Sequence, residues 1–202
     1  MKKPTTTYFA LTTGPIFKTL AIAKRTREIW TASYIFSWLT NQIIDTLQTE
    51  SNRFEIILPV KPVVTNKAEE QKRISAGLYP DRLIVISKGN DMKNWEKFNE
   101  IVTKFKDELV NNIKLQTRNS ETDSLFVDNF HTYTLQIELN ENEDPVAKIF
   151  PLLDSLDQQA AYNPVFNNHI LKELFKGKDL KNTIFYEKTN HHLLCVNHRP
   201  HF

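Results

Sequence analysis

Apolar side chains fall along this chain in two rhythms. Tyr8-Phe9-Ala10-Leu11-Thr12-Thr13 is β-branched and aromatic and stops at Gly14-Pro15, which predicts a strand, a tight turn and a helix start. From Ile16 the apolar positions Phe17, Leu20, Ile29, Trp30, Tyr34, Trp38, Leu39, Ile43, Ile44 and Leu47 recur at three- and four-residue steps, predicting a long amphipathic helix broken near Thr26. Strands are predicted at Phe54–Val60 and Arg82–Ser87, the second apolar enough to be buried on both faces. The polar stretch Lys61–Pro80 between them reads as a loop or a partly helical excursion. Asn90-Asp91 can cap a second helix with an apolar face of Trp95, Phe98, Ile101, Val102, Phe105 and Leu109. Tyr133, Leu135, Ile137 and Leu139 then alternate with Thr134, Gln136 and Glu138, the period of a half-exposed strand.

The resulting order, βαββαβ, is that of an α+β, ferredoxin-like sandwich with two helices on one face of a four-stranded antiparallel sheet. Residues 1–140 fill that plan. Residues 141–202 are expected to form a helical extension, with short helices at Pro145–Tyr162 and Phe166–Phe175, followed by a hairpin or polar tail.

Composition narrows the classes. The single cysteine, Cys195, cannot form an internal disulfide, so a reducing compartment and a cytoplasmic location are expected. No apolar run approaches the roughly 18 residues of a membrane span, and no signal-like core opens the chain, so no membrane partner is expected. The formal charge of +2 hides an asymmetry: residues 1–40 carry six basic and one acidic side chain, residues 119–157 one basic and nine acidic. Hydrolase elbows, P-loops and metalloprotease motifs are missing from the sequence.

One segment carries a more specific signal. Gly14-Pro15, the run Lys24-Arg25-Thr26-Arg27-Glu28, Trp30, the pair Ser33-Tyr34, and Ser37 together resemble the opening of the first palm domain of the large, polymerase-type subunit of type III CRISPR effector complexes, particularly the III-B branch. A second stretch, Leu78-Tyr79-Pro80-Asp81-Arg82, resembles the segment before that domain's third strand. The resemblance implies a palm that packs against a second palm bearing a Gly-Gly-Asp-Asp hairpin, with ATP and divalent metal (magnesium or manganese) held between them to make an adenylate messenger. It further implies other type III subunits, guide RNA and target RNA as partners, and a chain that is either a fragment or one piece of a split subunit. The optional nuclease domain that precedes this palm in the family is expected to be absent.

The same resemblance makes Gly14, Pro15, Ser33, Tyr34 and Ser37 candidates for nucleotide binding. Lys24, Arg25, Arg27, Asp81 and Arg82 become candidates for contact with phosphate, RNA or a neighbouring subunit. Gly14 would admit close approach to a ligand, and a helix N-terminus favours phosphate. Trp30, Tyr34 and Trp38, spaced four apart, read as core rather than as a stacking platform. A two-metal polymerase site needs paired carboxylates, and where the family places its hairpin this chain has Tyr79-Pro80-Asp81-Arg82, one carboxylate beside a cation. Catalysis by this chain alone is therefore not expected. His192, Cys195, His198 and His201 have donors that suit zinc, but Leu193–Val196 reads as a strand that would turn them to opposite faces, so no metal is expected there. Two other readings remain: an independent RNA-binding module of the ferredoxin-like kind, and a nucleotide-metabolising enzyme pairing Asp81 with Asp45 or Asp128.

Overall fold

Strand β1 (Thr5–Gly14) is the hub of the sheet, and its run of threonine and aromatic residues suits a strand paired on both sides. In the computed structural model, which describes residues 4–21, 23–60, 79–117 and 130–159, β1 is followed by a short helix α1 (Ile16–Ala21) and the long helix α2 (Thr26–Thr49). Strands β2 (Phe54–Leu58) and β3 (Arg82–Ser87), helix α3 (Asp91–Thr117), strand β4 (His131–Asn140) and helix α4 (Pro145–Gln159) complete the order. The sheet runs β2-β3-β1-β4 with every neighbour antiparallel, the order of a ferredoxin-like split βαβ fold.

The expected break near Thr26 is present and has a local cause. Arg25 at the start of α2 has extended backbone and offers no side-chain cap. Glu28, in the first turn, instead reaches back to accept the Lys24 N–H at 2.7 Å, which is the carboxylate half of a capping box moved one residue outward. The cap expected at Asn90 is also present: its Oδ1 accepts the Lys93 N–H at 3.0 Å.

Alternation along β1 divides the core in two. Phe9 and Leu11 face α2 and α3, where they join Leu83, Val85, Tyr34, Leu39, Phe98 and Phe105 in the larger cluster. Phe9 is wholly buried and packs its ring against Phe54, Trp95 and Phe98 at 5.2 to 6.4 Å. Trp30, Tyr34 and Trp38 belong to this core as their spacing predicts, with Trp38 only 4% exposed.

Ala10 points the other way, with Ile84 and Leu139, onto Ile149 and Leu153 of α4. The alternating residues Leu135 and Ile137 of β4 lie on this second face, whereas Thr134 points toward α3 and donates to Asn99 Oδ1 at 2.8 Å. Both faces of the sheet are thus covered, α2 and α3 on one and α4 on the other. Among the described residues no helix is long and apolar enough to cross a membrane. The segments expected as helix at Phe166–Phe175 and as hairpin beyond Thr183, and nearly all of Lys61–Pro80, lie outside the described residues.

Candidate functional site

Four elements end at one place. The Thr13 N–H donates to the Asp81 carbonyl at 3.0 Å, which pins the segment entering β3 beside the end of β1. Ser37 Oγ on α2 donates to the Tyr79 carbonyl at 3.3 Å and holds the same segment from the helix side. The register pairs Gly14 with His131, the first residue of β4. The last turns of α4 bring Asp157 to both: its Oδ2 accepts Thr12 Oγ1 and its Oδ1 lies 3.2 Å from His131 Nε2. Together Thr13, Gly14, Pro15, Asp81, His131 and Asp157 line a cavity of about 140 Å³.

Gly14 has a specific reason to be glycine here. A Cβ at this position would lie 2.8 Å from His131 Cε1 and closer still to Nε2, so only the missing side chain leaves room for the imidazole.

The electrostatics are acidic. Arg82 is ion-paired with Asp154, and its guanidinium lies 4.9 Å from the centre of the Phe150 ring. Asp157 is engaged by Thr12 and His131. Asp81 makes no ion pair among the described residues. Burial raises its carboxyl above the ordinary carboxylate range, and Asp157 and Asp154 push the same way, against the opposing pull of its own backbone N–H and of Arg82. Among the described residues, three carboxylates beside one guanidinium and one imidazole repel a bare phosphate. The six-residue α1 is too short to offset that with its dipole. Among the described residues no group of three or more histidine, cysteine or acidic side chains could hold a metal ion.

A second, larger cavity of about 560 Å³ adjoins the first, sharing Phe17, Asp81 and Arg82, and is walled by Pro59, Val60, Pro80 and Phe150.

Residues 8–117 match the family model described as CRISPR-associated protein Cmr2, N-terminal, which is more than half of the chain. The chain belongs to the Cmr2 family. Cmr2 is the large subunit of type III-B CRISPR complexes. No curated protein matches the chain. The match runs from within β1 to the last residue of α3, so the Cmr2-matched part holds Gly14, Pro15, Asp81 and Arg82, while His131 and Asp157 lie beyond it.

The Cmr2-matched residues singled out in the sequence do not all converge. Gly14, Pro15, Asp81 and Arg82 meet at the small cavity. Ser37 is buried and donates to the Tyr79 carbonyl at that end. Tyr34 is 1% exposed, stacked on Trp30 with ring centres 5.0 Å apart, and its hydroxyl pKa is pushed up to about 12 by burial. Its side chain is core and has no surface to offer a ligand. Ser33 is half-buried on α2. Lys24 and Arg25 are exposed at the α1–α2 break, and Arg27 sits in the first turn of α2. His192, Cys195, His198 and His201, and Asp128, lie outside the described residues, while Asp45 accepts from Asn41 one turn back on α2. No motif or spacing in the sequence marks His131 or Asp157. The only cue to His131 is the β1–β4 register, which places it opposite Gly14.

Proposed function

We propose that this Cmr2-family chain is the non-catalytic first palm of the large subunit, shaping one side of an ATP pocket and helping to assemble an RNA-guided effector that makes a cyclic oligoadenylate-type messenger. The observation that carries this reading is the entry to β3. A two-metal nucleotidyl transfer site needs two carboxylates free to bridge the ions, and among the described residues here only Asp81 has no side-chain partner, while the nearby Asp154 and Asp157 are engaged by Arg82, Thr12 and His131.

The acidic surroundings of Gly14 and Asp81 are compatible with a triphosphate only when a divalent ion accompanies it, because the carboxylates disfavour the bare anion. In this reading the second, Gly-Gly-Asp-Asp palm supplies the metal-bridging carboxylates. This chain supplies a shaped wall, with Gly14 and Pro15 at the turn, Asp81 beside them, and Ser37 fixing the loop that carries Asp81. Guide and target RNA are met through the complex. The independent RNA-binding alternative draws no support from the sheet, whose second face carries α4 where such a module leaves aromatic residues open.

Calorimetric titration of magnesium-ATP into the chain alone, and into the chain with a Gly-Gly-Asp-Asp palm supplied, tests the reading. Weak or undetectable binding alone and affinity at least about tenfold higher with the partner palm are expected. Tight binding or ATP turnover by the chain alone overturns it.

A further inference from the structure

The larger cavity is a mostly apolar groove lined by two charged side chains, Asp81 and the ion-paired Arg82. Phe17 is 85% exposed and Val60 81% exposed at its rim, and Pro59 and Pro80 form stiff walls. Large apolar side chains so exposed around a concave surface mark an interaction site. Asp81 lies where this groove meets the smaller cavity. Its neighbours are already committed, Arg82 to Asp154 and Asp157 to His131 and Thr12, so its carboxylate has no cation of its own among the described residues.

We infer that this groove docks an arginine-bearing apolar segment of a neighbouring protein subunit, with the guanidinium on Asp81 and an adjoining apolar side chain against Phe17 and Val60. Charge complementarity selects the occupant. Among the described residues a phosphate in the groove meets the Asp81 carboxylate, with Asp157 lining the adjoining cavity, and a metal ion lacks a grouped set of ligands. A cation is favoured by Asp81, which lines the groove and makes no ion pair among the described residues, and pairing with it would offset the burial that holds that carboxyl up. Arginine suits the site better than lysine, because its planar, weakly hydrated head pairs with a carboxylate while lying flat on aromatic and proline surfaces. The inference rests on the assembly part of the proposed function and takes Asp81 from the groove side, whereas the nucleotide wall at Gly14 and Pro15 lies on the smaller-cavity side, so the two fail separately.

The test titrates acetyl-Leu-Arg-Phe-amide, and its uncharged citrulline analogue, into the isotope-labelled full chain and follows backbone amide shifts by NMR. Shifts are expected at Val60, Asp81 and Arg82, with the arginine peptide bound about ten- to a hundredfold more tightly than the citrulline one. Asp81→Asn is expected to remove that difference. Phe17→Ala, at a side chain already in solvent, is expected to weaken both peptides alike without disturbing the fold. Equal affinity for the two peptides, or shifts confined to other surfaces, overturns the inference. So does a response of these same amides to magnesium-ATP with none to either peptide, which would give the groove to a nucleotide. Failure of ATP to bind alongside the partner palm would leave the peptide result untouched.

Discussion

A methyl group on Gly14 would collide with the imidazole of His131, and that ring is held from the other side by Asp157. Gly14→Ala is therefore expected to destabilise the chain by about 1–3 kcal/mol through overpacking, read from urea unfolding. Removing the obstructing ring should release most of that loss, so the double variant Gly14→Ala/His131→Ala should lie well above the sum of the single changes. Additivity would show that the steric account is wrong. Asp81 gives a different signature. Its native pKa is raised, so the folded state keeps its proton to higher pH than the unfolded chain does. Stability from this group is complete below the unfolded pKa and is lost as pH rises through the native one. Replacement by asparagine removes that loss. Asp81→Asn should gain stability relative to the parent as pH climbs from about 4 to 7, and a difference that stays flat across that range would discard the burial argument.

Helix α3 owes its docking to a residue that no periodicity reveals. Asn94 is 3% exposed, and its amide donates to the Lys88 carbonyl at 2.8 Å and to Ser87 Oγ at 3.0 Å, tying the first turn of the helix to the end of β3. Asn94→Ala would leave the Lys88 carbonyl without that donor. A loss of about 1–3 kcal/mol is expected in denaturant unfolding, compared with about 1 kcal/mol for the exposed cap change Asn90→Ala. Equal effects would mean that the cross-element bonds add nothing. Elements were legible from sequence where one periodicity ran long: the Arg82–Ser87 strand, the Asn90 cap and the α1–α2 break all stand where the residues place them. What one sequence hides is pairing. Alternation in β4 shows that one face is apolar but not which helix will cover it, and His131 becomes a neighbour of Gly14 only through the β1–β4 register. The candidate site was legible to the same degree. Gly14, Pro15, Asp81 and Arg82 are drawn together by backbone pairing along β1 and β3, whereas Tyr34 obeyed its helical spacing and went to the core.

One sheet with two unequal covers should not open evenly. On the first face, both long helices lock into β1 and β3 through wholly buried residues such as Phe9, Leu39, Ile43 and Phe98. The second face rests on a single helix, with Ile149 and Leu153 as its wholly buried anchors and, between them, the exposed Pro151, which has no N–H to donate to the Ala147 carbonyl one turn back. Its charged anchors add little: the Asp154 side chain that pairs with Arg82 is 54% exposed, and such pairs are worth at most about 1 kcal/mol. Local stability follows buried apolar contact, so α4 should open sub-globally while α2, α3 and the central strands remain folded. Native-state hydrogen exchange would then find the amides of 145–159 protected to a smaller free energy than those of α3. Leu153→Ala sharpens the contrast. Losing a wholly buried leucine costs about 2–5 kcal/mol, and if α4 is the weaker cover the loss should appear first as faster exchange in α4, with α3 protection falling only by the change in global stability. Equal loss of protection in both helices from the lowest denaturant upward would make the molecule one cooperative unit. The consequence for the site is direct, because Asp157 and Asp154 ride on α4: an opening of that helix would take Asp157 from His131 and Asp154 from Arg82 together and so reset the charge around Asp81.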